Sequence, residues 1–245
     1  MQTIAEVIAQ LDHIIAHSVA QSSRQAYFAS LYRQMTVAVQ QGIQQQVFED
    51  AARMEKLDVF FAQRYIDAWH QYQQRGSLTQ SWRHVFDSTQ QPYTVIQHLL
   101  MGINTHINLD LAIAAALTAP GNTIWQLQKD FDTINSQIAT LAVEVQRKLE
   151  AICWPMKLLS RISEGKEKAV LNFSIEKARQ AAWANAVALA LMPESERAAY
   201  ILQIDATVLS ISQKIAKPAA VAGWMLTPIR WFEEKNVQRV AALLA

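Results

Sequence analysis

A chain of 245 residues with 51% hydrophobic and 18% charged side chains has ample material for a core and is not the composition of a disordered protein. Its formal net charge of +1, with no cluster of lysine or arginine, lacks the basic surface that a general nucleic-acid binder needs. A single cysteine, Cys153, excludes an intrachain disulfide and a cysteine-rich zinc site; between Ile152 and Trp154 it reads as a small buried hydrophobe rather than a nucleophile.

Six glycines and six prolines punctuate the chain sparsely, and apolar residues recur at three and four rather than at two, so the expected fold is all-α. Thr3 and Glu6 form a capping box ahead of a first helix whose stripe is Ile4, Val7, Ile8, Leu11, Ile15 and Ser18. A second helix is expected from about Ser22 towards Gly42. A third runs from about Gln44 to Gln74, and a short one carries Trp82, Val85 and Phe86. The turn at Gln90, Gln91 and Pro92 opens a central helix that Ala119, Pro120, Gly121 and Asn122 close. Thr123 to Ile152 follows, with the stripe Leu127, Phe131, Ile134, Ile138, Leu141, Val145 and Leu149. Beyond Pro155 and the 163–166 loop, Asn172 or Ser174 caps a helix holding Ile175, Arg179, Trp183 and Val187. Pro193 ends that helix, and two last helices flank Pro218.

The N-terminal segment, Met1 to His17, has neither a basic n-region nor an unbroken apolar stretch, so no signal peptide is expected there. Residues 218–232 are apolar but interrupted by Pro228 and Arg230, too short to cross a bilayer. The cytoplasm is the expected location, and no transmembrane segment is expected.

The central helix is chemically unusual. His98, Asn104, His106, Asn108 and Asp110 fall within a segment that otherwise reads as buried, and each unpaired buried polar group costs about 1–3 kcal/mol. Positions four apart on a helix drift by only about forty degrees, so His98, Gly102, His106 and Asp110 form one slanting stripe. His106 and Asp110 offer a nitrogen and an oxygen to a divalent metal such as zinc. Gly102 lets another group approach closely, and Asn104 and Asn108 flank the apolar face. A paired structural network, a ligand pocket and a metal site all remain open.

On the third helix, Glu55 and Asp58 border the stripe of Met54, Leu57, Phe61 and Tyr65. A carboxylate there can act as a base with a raised pKa, complete a metal sphere, or simply bridge helices through Lys56 or Arg64. His13 and His17 have the spacing of a metal clip but face away from the first helix's apolar stripe, towards solvent. No Gly-x-Ser-x-Gly elbow, phosphate-cradling glycine loop or His-Glu-x-x-His motif occurs.

Two segments carry a resemblance: residues 53–65, from Arg53 through Asp58 to Tyr65, and residues 101–110, with the core Gly102-Ile103-Asn104-Thr105-His106-Ile107-Asn108. With 130–135 and 178–183 they resemble a bacterial group catalogued as domain of unknown function 5995, over about residues 25–190. That implies a shared fold and no known activity. The helix around His106 and Asp110 is also similar to a ligand helix of the zinc-dependent phospholipase C and P1 nuclease class, all-α enzymes that hydrolyse phosphate esters. Only those two residues carry over. Leu111, Ala112, Ile113 and Ala114 replace the proline and histidine that class has after its aspartate, and its N-terminal tryptophan ligand is absent.

A single all-α domain over 1–245 is therefore expected, with C-terminal helices in 194–245 packed on the 25–190 core. Two functional readings follow. In the first, a small-molecule binder or enzyme has Glu55 and Asp58 as acid–base groups, His98, Asn104, Asn108 and Tyr65 around a ligand, and His106 and Asp110 on any metal, with hydrolysis by activated water as its chemistry. In the second, a non-catalytic interaction module uses those residues to fix helix register and meets a protein or membrane surface through Trp224, Trp231 and Phe232.

Overall fold

The computed structural model describes residues 2–152, 166–218, 226 and 229–245, with side chains left out at 135–146, 150 and 166–174. Cys153, Trp154, Pro155, the 163–165 loop, Trp224 and Met225 lie outside them, as do the side chains of Ile138, Leu141 and Val145. The described chain is all-α and contains no strand.

Among the described residues ten α-helices follow in order: α1 (Ile4–Ala20), α2 (Gln25–Gln44), α3 (Ala51–Gln73), α4 (Gln80–Ser88), α5 (Val95–Thr105), α6 (Leu111–Thr118), α7 (Ile124–Ile152), α8 (Lys166–Leu191), α9 (Glu194–Ala216) and α10 (Val237–Leu244). Helices α5 and α6 are one rod joined through a widened π turn at His106–Asp110, in which the Leu111 amide donates to the His106 carbonyl five residues back. The rod is central. Helices α2, α3, α4 and α9 pack around α5 and the π turn, and α3 and α8 flank α6.

Local chemistry sets most boundaries. Thr3 caps α1 by accepting from the Glu6 amide, and Thr94 and Gln97 form a reciprocal capping box at the start of α5. The buried face of α1 is Ile4, Val7, Leu11, Ile14 and Ser18, so Ile14 takes the place expected for Ile8 and Ile15. Helix α3 begins at Ala51 rather than near Gln44. Asp130 of α7 holds the preceding turn open by accepting from the Glu49 and Asp50 amides, and Asp50 then caps the helix. Helix α8 is already formed at Lys166, upstream of the cap expected at Asn172 or Ser174.

The stretch Val95–Thr118 is long and apolar enough to cross a membrane by length and composition, and 78% of its most apolar window is buried inside the protein. A core rod wrapped on several sides has that composition for packing reasons alone.

Candidate functional site

Side chains from α2, α3, the α5–α6 rod, α7 and α8 surround one partly open cavity beside the π turn. Helix α2 contributes Phe28, Leu31, Tyr32, Met35, Thr36 and Val39, at the spacing of a single helix face. Helix α3 contributes Met54, Leu57, Asp58 and Phe61, and the rod contributes Ile103, His106, Ile107 and Leu111. Ile134, Ile175 and Arg179 line it from α7 and α8. The cavity measures about 140 Å³. Its wall is hydrocarbon and aromatic apart from Tyr32, Thr36, Asp58, His106 and Arg179.

His106 is the most closely held of these. It stacks on Phe61 with ring centroids 3.7 Å apart, and Tyr32 meets it edge-on at 4.4 Å. Its Nδ1 lies 3.0 Å from Asp110 Oδ2, which also accepts from Trp82 Nε1 at 2.8 Å, while Arg64 Nε stands 3.5 Å from Oδ1. Burial holds the His106 imidazole below its ordinary pKa, so near neutral pH it is uncharged, with Asp110 partly offsetting that shift. A neutral ring that donates through Nδ1 to a carboxylate presents a bare lone pair at Nε2. That Nε2 is buried and has no partner.

Asp58 is 6% exposed, and its Oδ2 is likewise buried without a partner. Burial, reinforced by nearby Glu55, pushes its carboxyl from 3.8 up to about 7. The hydroxyl of Tyr32 is buried and unpartnered as well; burial and then the proximity of Asp58 hold it well above the usual phenol range. Thr36 satisfies itself on the Tyr32 carbonyl. Arg179 donates Nη2 to the Phe131 carbonyl, and its guanidinium lies 4.4 Å over the Phe131 ring.

The remaining residues singled out by the sequence fall elsewhere. Glu55 accepts from the Ile4 amide at the start of α1. Tyr65 belongs to the aromatic shell around His106, 6.0 Å from it, with an unpartnered hydroxyl, but does not line the cavity. His98 points towards Tyr27 and Tyr93, away from His106 along the rod, and burial lowers it to about 4. Asn104 donates to the Val208 carbonyl and to Ser212 Oγ of α9, and Asn108 donates to the Asn104 carbonyl and side chain. The two asparagines thus tie the π turn to α9. His13 is exposed, and His17 rests edge-on against Trp69 at 5.2 Å.

Sequence reasoning did not single out Tyr32, Thr36 or Arg179 as site residues. The signal for Tyr32 was present: Phe28, Leu31, Tyr32, Met35 and Val39 make an apolar stripe on α2, with the phenol as its polar tip.

The zinc arrangement implied by the phospholipase-like helix does not fit these residues. Among the described residues no three His, Cys, Asp or Glu side chains group closely enough to hold an ion. Asp110 Oδ2 already receives the indole and imidazole N–H groups, and Arg64 Nε stands 3.5 Å from Oδ1.

The family model described as a family of unknown function, DUF5995, matches residues 4–218, a longer span than the 25–190 expected. No curated protein and no solved structure gives a match.

Proposed function

The chain belongs to the DUF5995 family, and we propose that it binds a small, largely apolar molecule in the cavity beside the π turn. One observation carries this reading. Asp58 Oδ2, His106 Nε2 and Tyr32 Oη are all buried, all unpartnered, and all belong to residues lining one apolar space. A polar network kept only for helix register closes its hydrogen bonds, as Asn104 does on α9. Three unpaired polar groups on residues around one apolar space instead resemble the few orienting groups of a ligand pocket.

The test is direct binding of benzene-sized probes. An engineered apolar cavity of about 150 Å³ admits benzene, so toluene and phenol should give saturation-transfer NMR signals with the wild type. Leu57→Phe, which places a ring in the cavity, should abolish both signals. Absence of binding by a folded wild-type protein overturns the reading.

The His106–Asp110 pair favours a catalytic extension, in which Nε2 takes a proton from the bound molecule and Asp58 returns one. Turnover lost in His106→Gln while probe binding persists would distinguish chemistry from binding alone. A divalent-metal role for His106 and Asp110 has less support, given the hydrogen bonds already on them. About one equivalent of zinc in untagged protein, lost in Asp110→Asn, would replace the present reading. The interaction-module reading draws on Trp231 and Phe232, which are 72% and 52% exposed.

A further inference from the structure

Resting on the pocket reading above, we propose that the occupant is a small primary ammonium ion carrying an aryl or short alkyl group. Each unpartnered polar atom calls for a particular kind of partner. Asp58 Oδ2 is a carboxyl oxygen, and His106 Nε2 is an acceptor because Nδ1 carries the proton shared with Asp110. Tyr32 Oη also has lone pairs and makes no hydrogen bond of good geometry. The three residues that carry these unpaired acceptors, one each from α2, α3 and the π turn, therefore surround the same space. An R–NH3+ group brings three N–H donors, whereas an alcohol brings one and a carboxylate none.

Charge and shape agree. A carboxylate buried without a partner is strongly disfavoured, and a cation supplies the missing counter-charge. Phe28, Tyr32 and Phe61 present aromatic rings in the same lining, and aromatic faces attract a desolvated ammonium. The cation already in the wall, Arg179, is held on the carbonyl and ring of Phe131. The volume of about 140 Å³ suits a body the size of one ring, as in benzylammonium, and not a long lipid chain.

Four probes of one shape separate the head groups: benzylammonium, benzyl alcohol, benzoate and toluene, titrated at pH 7 into the full-length protein by calorimetry and ligand-observed NMR. Benzylammonium should bind at least tenfold more tightly than the other three. Asp58→Asn, isosteric and checked for folding by its melting curve, should weaken benzylammonium at least tenfold and leave toluene within twofold. If toluene, benzyl alcohol or benzoate binds as well as the ammonium, or if Asp58→Asn leaves benzylammonium unchanged, the ammonium assignment is overturned while the pocket stands. If none of the four binds the folded wild type, both the assignment and the pocket reading fall.

Discussion

Asp58 gives the residue scale its sharpest consequence, because an unpartnered buried carboxyl links stability to pH. Its pKa is raised in the folded protein, from 3.8 to about 7, so the native state binds the proton more tightly than the unfolded chain. The stability this confers is fully present below pH 4, is lost as pH rises through 7, and then stays level. His98 runs in the opposite sense. Burial lowers its pKa to about 4, so its contribution is present above 6.5 and lost as pH falls through 4. Comparing wild type with Asp58→Asn cancels the His98 part. The variant should gain on the wild type by roughly 3 kcal/mol between pH 5 and pH 8, at about 1.4 kcal/mol per pKa unit, read from urea midpoints. A difference that does not vary with pH would remove Asp58 as the titrating group. The neighbouring pair behaves otherwise. Asp110→Asn must satisfy both Trp82 and His106 from a single amide oxygen, and the loss should be about 1–3 kcal/mol in denaturant unfolding.

At the scale of elements, the π turn is what a helical wheel could not foresee. The three–four spacing that makes α5 and α6 legible is a local property of adjacent residues. Widening one turn depends on partners from elsewhere: Val208 and Ser212 of α9 on Asn104, and Trp82 of α4 on Asp110. His106 and Asp110 were readable as a pair because four-residue spacing survives the change. His98 does not join them, since eight residues of drift carry it round to Tyr27 and Tyr93. Gly102 was readable too, as a place of close approach. A Cβ there would sit 2.6 and 2.7 Å from ring atoms of Phe28, itself wedged between Tyr65 and Tyr32. Gly102→Ala should therefore destabilise the protein by about 1–3 kcal/mol through overpacking, exceeding the gain of up to about 1 kcal/mol from better helix propensity. Because Phe28 lines the cavity, toluene binding should weaken along with stability; an Ala variant as stable as wild type with unaltered binding would show that the ring moves aside freely.

Across the whole molecule, two buried aspartates do what no local signal could announce. Asp130 on α7 accepts from the Glu49 and Asp50 amides and pairs with Arg53 at 2.7 Å, closing the N-terminal end of α3 from about eighty residues away. Asp205 on α9 accepts from the Gln80 and Ser81 amides and the Ser81 hydroxyl, capping α4 across 124 or 125 residues. Asp205 satisfies helix-end N–H groups that the adjoining sequence leaves open, since Thr79 makes no side-chain cap of its own, whereas Asp130 braces the turn that carries the Asp50 cap of α3. A sequence reader sees a charge on an amphipathic helix; only the packed bundle shows that it ends a different one. These bonds lock α9 onto α4 and α7 onto α3, the helices that hold the π turn and the cavity wall. Hydrogen bonds to a charged group contribute about 1.5–3 kcal/mol, and 1 kcal/mol shifts the melting temperature of a protein this size by roughly 2–4 °C. Asp205→Asn, which keeps the shape but loses the charge and one acceptor, should lower the melting temperature by several degrees and raise hydrogen exchange first at the start of α4. If exchange instead rises evenly along α9 and leaves α4 protected, Asp205 stabilises its own helix rather than joining two.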